Sequence, residues 1–226
     1  MSFLVFLFFL FPYDMIITSK IYNIINKYNL PISFSTAKAS PTVAFIEEAT
    51  LQYKNNIPLG RIKLEYAPLI FLTGNFDLLS NNTFYSLEAK HNKDKLVINA
   101  NFNTSNIINS EDVKLDGNLS LKGDIDLTNK KGVITLSSEG ILIKTPEQKI
   151  SLGKIEGKLQ LNGSQLEITN IKSNGDLTVN IDGRIFINVS NIYNSTLNIK
   201  GILSFENKNQ NIYIRGSINN PSFFYR

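Results

Sequence analysis

The sequence predicts a mainly β fold: an elongated, curved antiparallel meander preceded by an apolar segment and one amphipathic helix. Three observations carry this. Side chains alternate apolar and polar from Ile32 onward, turn signals punctuate the alternation at short intervals, and no later stretch sustains a period of 3.6. With 226 residues, 42% of them hydrophobic, the chain is long enough to bury a sizeable core in one domain. The expected organisation is an apolar segment over residues 1–12, a helix over 13–30 and a β domain over 31–226.

The segment from Ser2 to Phe11 is almost pure Phe and Leu, a composition suited to a bilayer and not to water. It stops at Pro12 and Asp14, short of the roughly 20 residues that span a hydrocarbon core. Its length suits a signal-peptide apolar region, but no Lys or Arg precedes it, and Ala37-Lys38-Ala39 lies too far downstream for a normal cleavage site. The readings are an uncleaved anchor, whole or truncated by a misplaced start; a cleaved signal; and a buried hydrophobic helix. From Tyr13 to Tyr28, Ile17, Ile21, Ile24, Ile25 and Tyr28 recur at helical spacing, with Lys20, Asn23, Asn26 and Lys27 opposite. Asn29-Leu30-Pro31 ends this helix, which either plugs one end of the β domain or lies in a membrane interface.

In the β domain, Leu115, Leu119, Leu121, Ile125 and Leu127 share one strand face, against Asp116, Asn118, Ser120, Lys122, Asp124 and Asp126 on the other. The same parity groups Ile155, Leu159 and Leu161; Leu177, Val179, Ile181, Ile185, Ile187 and Val189; Leu197, Ile199, Leu203 and Phe205; and Ile212, Ile214 and Ile218. Turns are expected at His91 to Asp94, Asn129 to Gly132, Asn162-Gly163, Asn174-Gly175 and Asn207 to Gln210. A motif of apolar, charged, Gly, any, apolar recurs around Gly117, Gly157, Gly183 and Gly216, and Ile199-Lys200-Gly201-Ile202-Leu203 repeats it. Each glycine takes an apolar-face position in mid-strand, removing a side chain where the sheet must bend or where another surface comes close. Such a sheet curls toward its dry face. Either a groove is left there, lined by Leu119, Leu121, Leu159, Leu161, Ile181, Ile185, Ile199, Leu203 and Ile214, or the face closes as a sandwich core.

Several chemistries lack their residues. There is no Cys and one His, so disulfides, zinc clusters and thiol nucleophiles are excluded by inventory. His91 reads as a solvated turn residue, and Asp124 with Asp126 lacks the further oxygens that calcium needs. No Gly-X-Ser-X-Gly elbow and no phosphate-binding fingerprint occurs. The expectation is a non-catalytic protein with no cofactor and no metal. The net charge of +4 comes from cations spread singly along strands and turns, which argues solvation and no nucleic-acid partner. The abundance of Asn, Ile and Lys reads as AT-rich coding, so the Asn-X-Ser/Thr triplets are assigned no glycan.

These features together resemble the type II secretion system protein N family and, more loosely, the AsmA-like proteins of the Gram-negative envelope. The matching pieces are the apolar leader ending Phe11-Pro12-Tyr13-Asp14, the helix, the strand block with Ala49-Thr50-Leu51 and Arg61-Ile62-Lys63-Leu64, the stretch Ala67 to Gly74, the glycine-centred strands, and the closing Ile214 to Pro221. The resemblance implies an inner-membrane protein anchored by its N-terminus, with a periplasmic β domain serving secretion of folded proteins. The partners implied are the membrane and secretion-apparatus proteins, and the AsmA-like alternative implies phospholipid. The two readings differ in the fate of the dry face. A scaffold closes it by its own packing and binds partners through the wet face or an edge, whereas a lipid-handling module leaves it open.

Overall fold

The computed structural model describes residues 12–53, 55–66, 75–106, 113–206 and 208–225. The expected leader at Ser2 to Phe11 and the expected break at Ala67 to Gly74 lie outside the described residues. The helix, α1, runs Tyr13–Tyr28 and ends at Asn29, whose left-handed φ of 47° lets the N–H groups of Asn29 and Leu30 return to the carbonyls of Asn26 and Ile25. The described strands that follow are β1 Ile32–Ser33, β2 Thr36–Ala39, β3 Val43–Tyr53, β4 Asn55–Tyr66, β5 Phe76–Asn81, β6 Tyr85–Asn92, β7 Lys95–Asn103 and β8 Lys114–Asp126. Then come β9 Lys131–Lys144, β10 Lys149–Asn162, β11 Gln165–Ser173, β12 Leu177–Phe186, β13 Thr196–Phe205, β14 Lys208–Ser217 and β15 Pro221–Tyr225.

These fifteen described strands form one open antiparallel sheet, in which every strand from β3 onward pairs with its sequence neighbours. The expected meander is the observed one. Tight turns make several of the reversals, as between β10 and β11, where Gly163 takes a left-handed φ of 63°. At the first edge, β1 and β2 share one side of β3, pairing with Thr50–Leu51 and with Ala44–Glu47.

The core is small and lies at this end. Ile17 of α1 packs with Ala44 and Tyr66, supported by Ile21, Ala39, Leu64 and Phe76. Helix α1 therefore covers the apolar side of β2 to β5, as a plug. The Asp14 carboxylate also accepts the Ala39 N–H, giving a partner to a donor on the edge strand.

The sheet is coiled, not extended. In a flat sheet at about 4.8 Å per strand, β3 and β12 would stand about 43 Å apart. Yet the Tyr193 hydroxyl, in the connection after β12, donates to the Gln52 carbonyl of β3 at 2.7 Å. Strand twist accumulating in one sense over so many strands is what brings these ends together.

Some local expectations are corrected. His91 lies in β6, not in a turn, and only Lys93-Asp94 reverses the chain there. Strand β12 ends at Phe186, so Ile187 and Val189 lie beyond it; the Ile187 N–H still bonds the Ser164 carbonyl at 2.7 Å, whereas Val189 is 62% exposed. Leu127 falls after the end of β8 and Ile218 after the end of β14, where its N–H bonds the Ser195 carbonyl at 2.8 Å.

Candidate functional site: an uncovered apolar face

Cross-strand register builds the site. Residues paired directly across an antiparallel ladder point to the same face. Beginning at the first edge, one row runs Ala39, Ala44, Leu64, Leu78, Ala89, Ile98, Gly123 and Ile134. It continues through Leu159, Ile168, Gly183, Ile199, Ile214 and Phe223. Each strand from β2 to β15 contributes one residue, and none is polar. At strand spacing the row is about 60 Å long.

A parallel row contains Tyr66, Phe76, His91, Leu96, Ile125, Gly132, Leu161, Leu166, Ile185, Leu197, Gly216 and Pro221. On the other flank, Leu87, Ala100, Leu121, Leu136 and Gly157 continue past a bulge to Ile181, Gly201 and Ile212. The nine residues expected to line a groove all fall on this face, Leu119 opposite Phe102 and Leu203 opposite Val179. All nine are half-buried, shielded by in-sheet neighbours and by no second layer of the described chain. Beyond α1 the largest apolar members that reach full burial are Ile141, Ile155 and Ile168.

The overall area agrees. A compact protein of 25.4 kDa exposes roughly 10,300 Å². This chain exposes 14495 Å², about 40% more.

The five motif glycines lie on the same face, at Gly117, Gly157, Gly183, Gly201 and Gly216. A Cβ added at any of them would fall within 3.0 Å of another strand or turn. At Gly183 the obstructions are backbone, Asn198 O at 2.6 Å and Ile199 Cα at 2.7 Å. The glycines thus permit close approach between strands. A cleft of about 700 Å³ at the α1 end is lined by Phe45, Lys63, Glu65 and Asp77 of the polar face and reaches Tyr66, Phe76 and His91 of the apolar row; two smaller clefts lie mainly on the polar face. One of about 480 Å³ is lined by Phe45, Arg61, Lys63, Glu88 and Asn99 among others. Another of about 420 Å³ lies among Glu167, Asp182, Arg184 and Lys200. None of these clefts is lined mainly by residues of the apolar rows.

His91 is the one histidine of the sequence and belongs to the apolar face, stacked on Phe76 with ring centroids 5.0 Å apart. Sequence reasoning placed it in solvent because Asn92, Lys93 and Asp94 follow; the alternation Leu87, Ala89, His91 was the signal available. That reasoning also left out Leu78, Leu87 and Ile98, although Leu96, Ile98, Ala100 and Phe102 alternate plainly. At the α1 end, Tyr66 donates to the Ser40 carbonyl at 2.6 Å, and burial, with Tyr13 and Asp14 nearby, pushes its phenol up to about 12. Burial likewise raises Tyr85, which donates to the Leu59 carbonyl at 2.5 Å.

Among the described residues no group of His, Asp and Glu is placed to hold a metal ion, and no helix is long and apolar enough to cross a membrane. No family model, curated protein or solved structure matches the chain.

Proposed function

We propose that this protein is a non-catalytic lipid-binding component of the Gram-negative envelope, carrying acyl chains along its apolar face in the manner of AsmA-like proteins. The observation that carries the reading is the continuous apolar row from β6 to β15, over which no second sheet lies among the described residues. At about 25 cal/mol per Å², apolar area left in water on this scale is a standing cost that a hydrocarbon ligand removes. An acyl chain suits a face that is long, narrow and without polar groups along its central row, because it needs no hydrogen-bond partner there. The Phe- and Leu-rich leader, read as an inner-membrane anchor, would hold the sheet beside its lipid source on the periplasmic side.

The test is lipid content. Chain purified from membranes should carry phospholipid at stoichiometric level by mass spectrometry, and Ile181→Asp or Ile199→Asp should remove it. A wild-type chain without lipid would refute the proposal.

A second reading, as a type II secretion scaffold, is favoured by exposed apolar side chains on the otherwise polar face: Phe186, Ile202 and Phe224 are 46%, 43% and 53% exposed. This reading expects a lipid-free domain and crosslinks to secretion-apparatus subunits in cells. Charge reversal at Lys158 or Arg184 should weaken that capture.

A further inference from the structure

The connection from β12 to β13, residues 187–195, is organised by its own side chains. Asn188 Oδ1 accepts from the N–H groups of Ser190 and Asn191, both at 3.1 Å, and Asn191 Oδ1 accepts from Tyr193 N–H at 3.1 Å. The buried Ser195 hydroxyl accepts the Asn188 N–H at 3.0 Å. A loop tied at these points holds Tyr193 in one direction, outward to the far end of β3.

What it meets there is a vacancy made by proline. Gln52 N–H donates to the Pro31 carbonyl at 2.6 Å, and in an antiparallel ladder the Gln52 carbonyl would receive an N–H from residue 31 in return. Proline has none. The Tyr193 hydroxyl, 141 residues away in sequence, supplies the missing donor at 2.7 Å.

We infer that Tyr193 and Gln52 form a clasp that holds the coil of the sheet closed and opens to admit ligand to the apolar face. The contact is solvent-exposed, and a hydrogen bond of that kind biases a two-state balance by about 2- to 12-fold. Loss of this hydrogen bond therefore shifts the balance between clasped and open forms by that factor. The role in ligand entry rests on the lipid-binding reading; the clasp itself does not.

Because the chain contains no Cys, Asn56→Cys and Ser190→Cys place spin labels on the two sides of the contact without interference. Distances by electron-electron resonance should give a dominant short population. Tyr193→Phe, in that background, should lower the ratio of short to long by about 2- to 12-fold. Pro31→Ala should lower it by a different route, since residue 31 then offers Gln52 its own N–H in competition with the tyrosine. A second label pair across the β13–β14 hairpin, Ser204→Cys with Asn209→Cys, should stay unchanged in both variants and so report an intact sheet. Identical distance distributions in wild type and Tyr193→Phe would overturn the clasp, as would a Pro31→Ala variant with the wild-type distribution. Lipid content is measured separately. Loss of the short population in a chain that never carries lipid keeps the clasp and refutes only the lipid reading.

Discussion

Replacing Gly183 by Val tests whether the apolar-face glycines mark close approach of strands. A Cβ at position 183 would stand 2.6 Å from Asn198 O and 2.7 Å from Ile199 Cα, both fixed backbone atoms of β13. No rotamer relieves that contact, so β12 and β13 must separate locally, and Val adds two further methyl groups on the same face. Overpacking of this kind costs about 1 to 3 kcal/mol. For a domain of this length each kcal/mol lowers the melting temperature by roughly 2 to 4 °C, so the expected fall is about 2 to 12 °C. The control is Asn198→Val, on the exposed polar face of β13, where a β-branched residue should change stability by less than about 0.5 kcal/mol. Thermal unfolding followed by far-ultraviolet circular dichroism reads both. Equal melting temperatures for the two variants would show that the glycine is dispensable and that the assigned face is wrong.

Tyr66 makes a pH prediction. Its folded pKa of about 12 lies above the ordinary 10.0, so the folded chain keeps this proton after the unfolded chain has lost it. Stability contributed here is complete below pH 10 and falls as pH rises to about 12, by about 2 to 3 kcal/mol; Tyr66→Phe should flatten denaturation midpoints over that window, and parallel slopes for the two proteins would refute it. Asp14→Ala frees the Ala39 N–H and one end of α1, so amides of α1 should exchange faster while those of β9 and β10 do not; unchanged protection in α1 would refute the tether. The full chain should fractionate with membranes and be released by removal of the segment before Tyr13, because that segment has bilayer-grade hydrophobicity; full-length product in the soluble periplasm would refute the anchor.

Strand identity, the boundary of α1 and the shared face of Leu121, Leu159, Ile181 and Ile199 were legible in the sequence, because a period of two and a period of 3.6 are local properties of a chain that buries one side. The motif glycines were legible too, since a glycine on an apolar face in mid-strand has no local reason to be there. Where a strand stops was less legible: His91 stayed in β6 and Ile187 did not stay in β12, because ladder pairing with Leu96, and its end at the Phe186–Thr196 pair, involve partners distant in the chain. Whether the apolar face would be closed was open to both answers, as an alternating strand looks the same under a second sheet or under none. Among the described residues, tertiary structure puts every strand in one sheet and lays α1 over β2 to β5. It also decided the coil, for nothing local to Tyr193 or Gln52 pairs them. That contact exists because the twist of the intervening strands carries the two ends together, and because Pro31 leaves one carbonyl waiting for a donor.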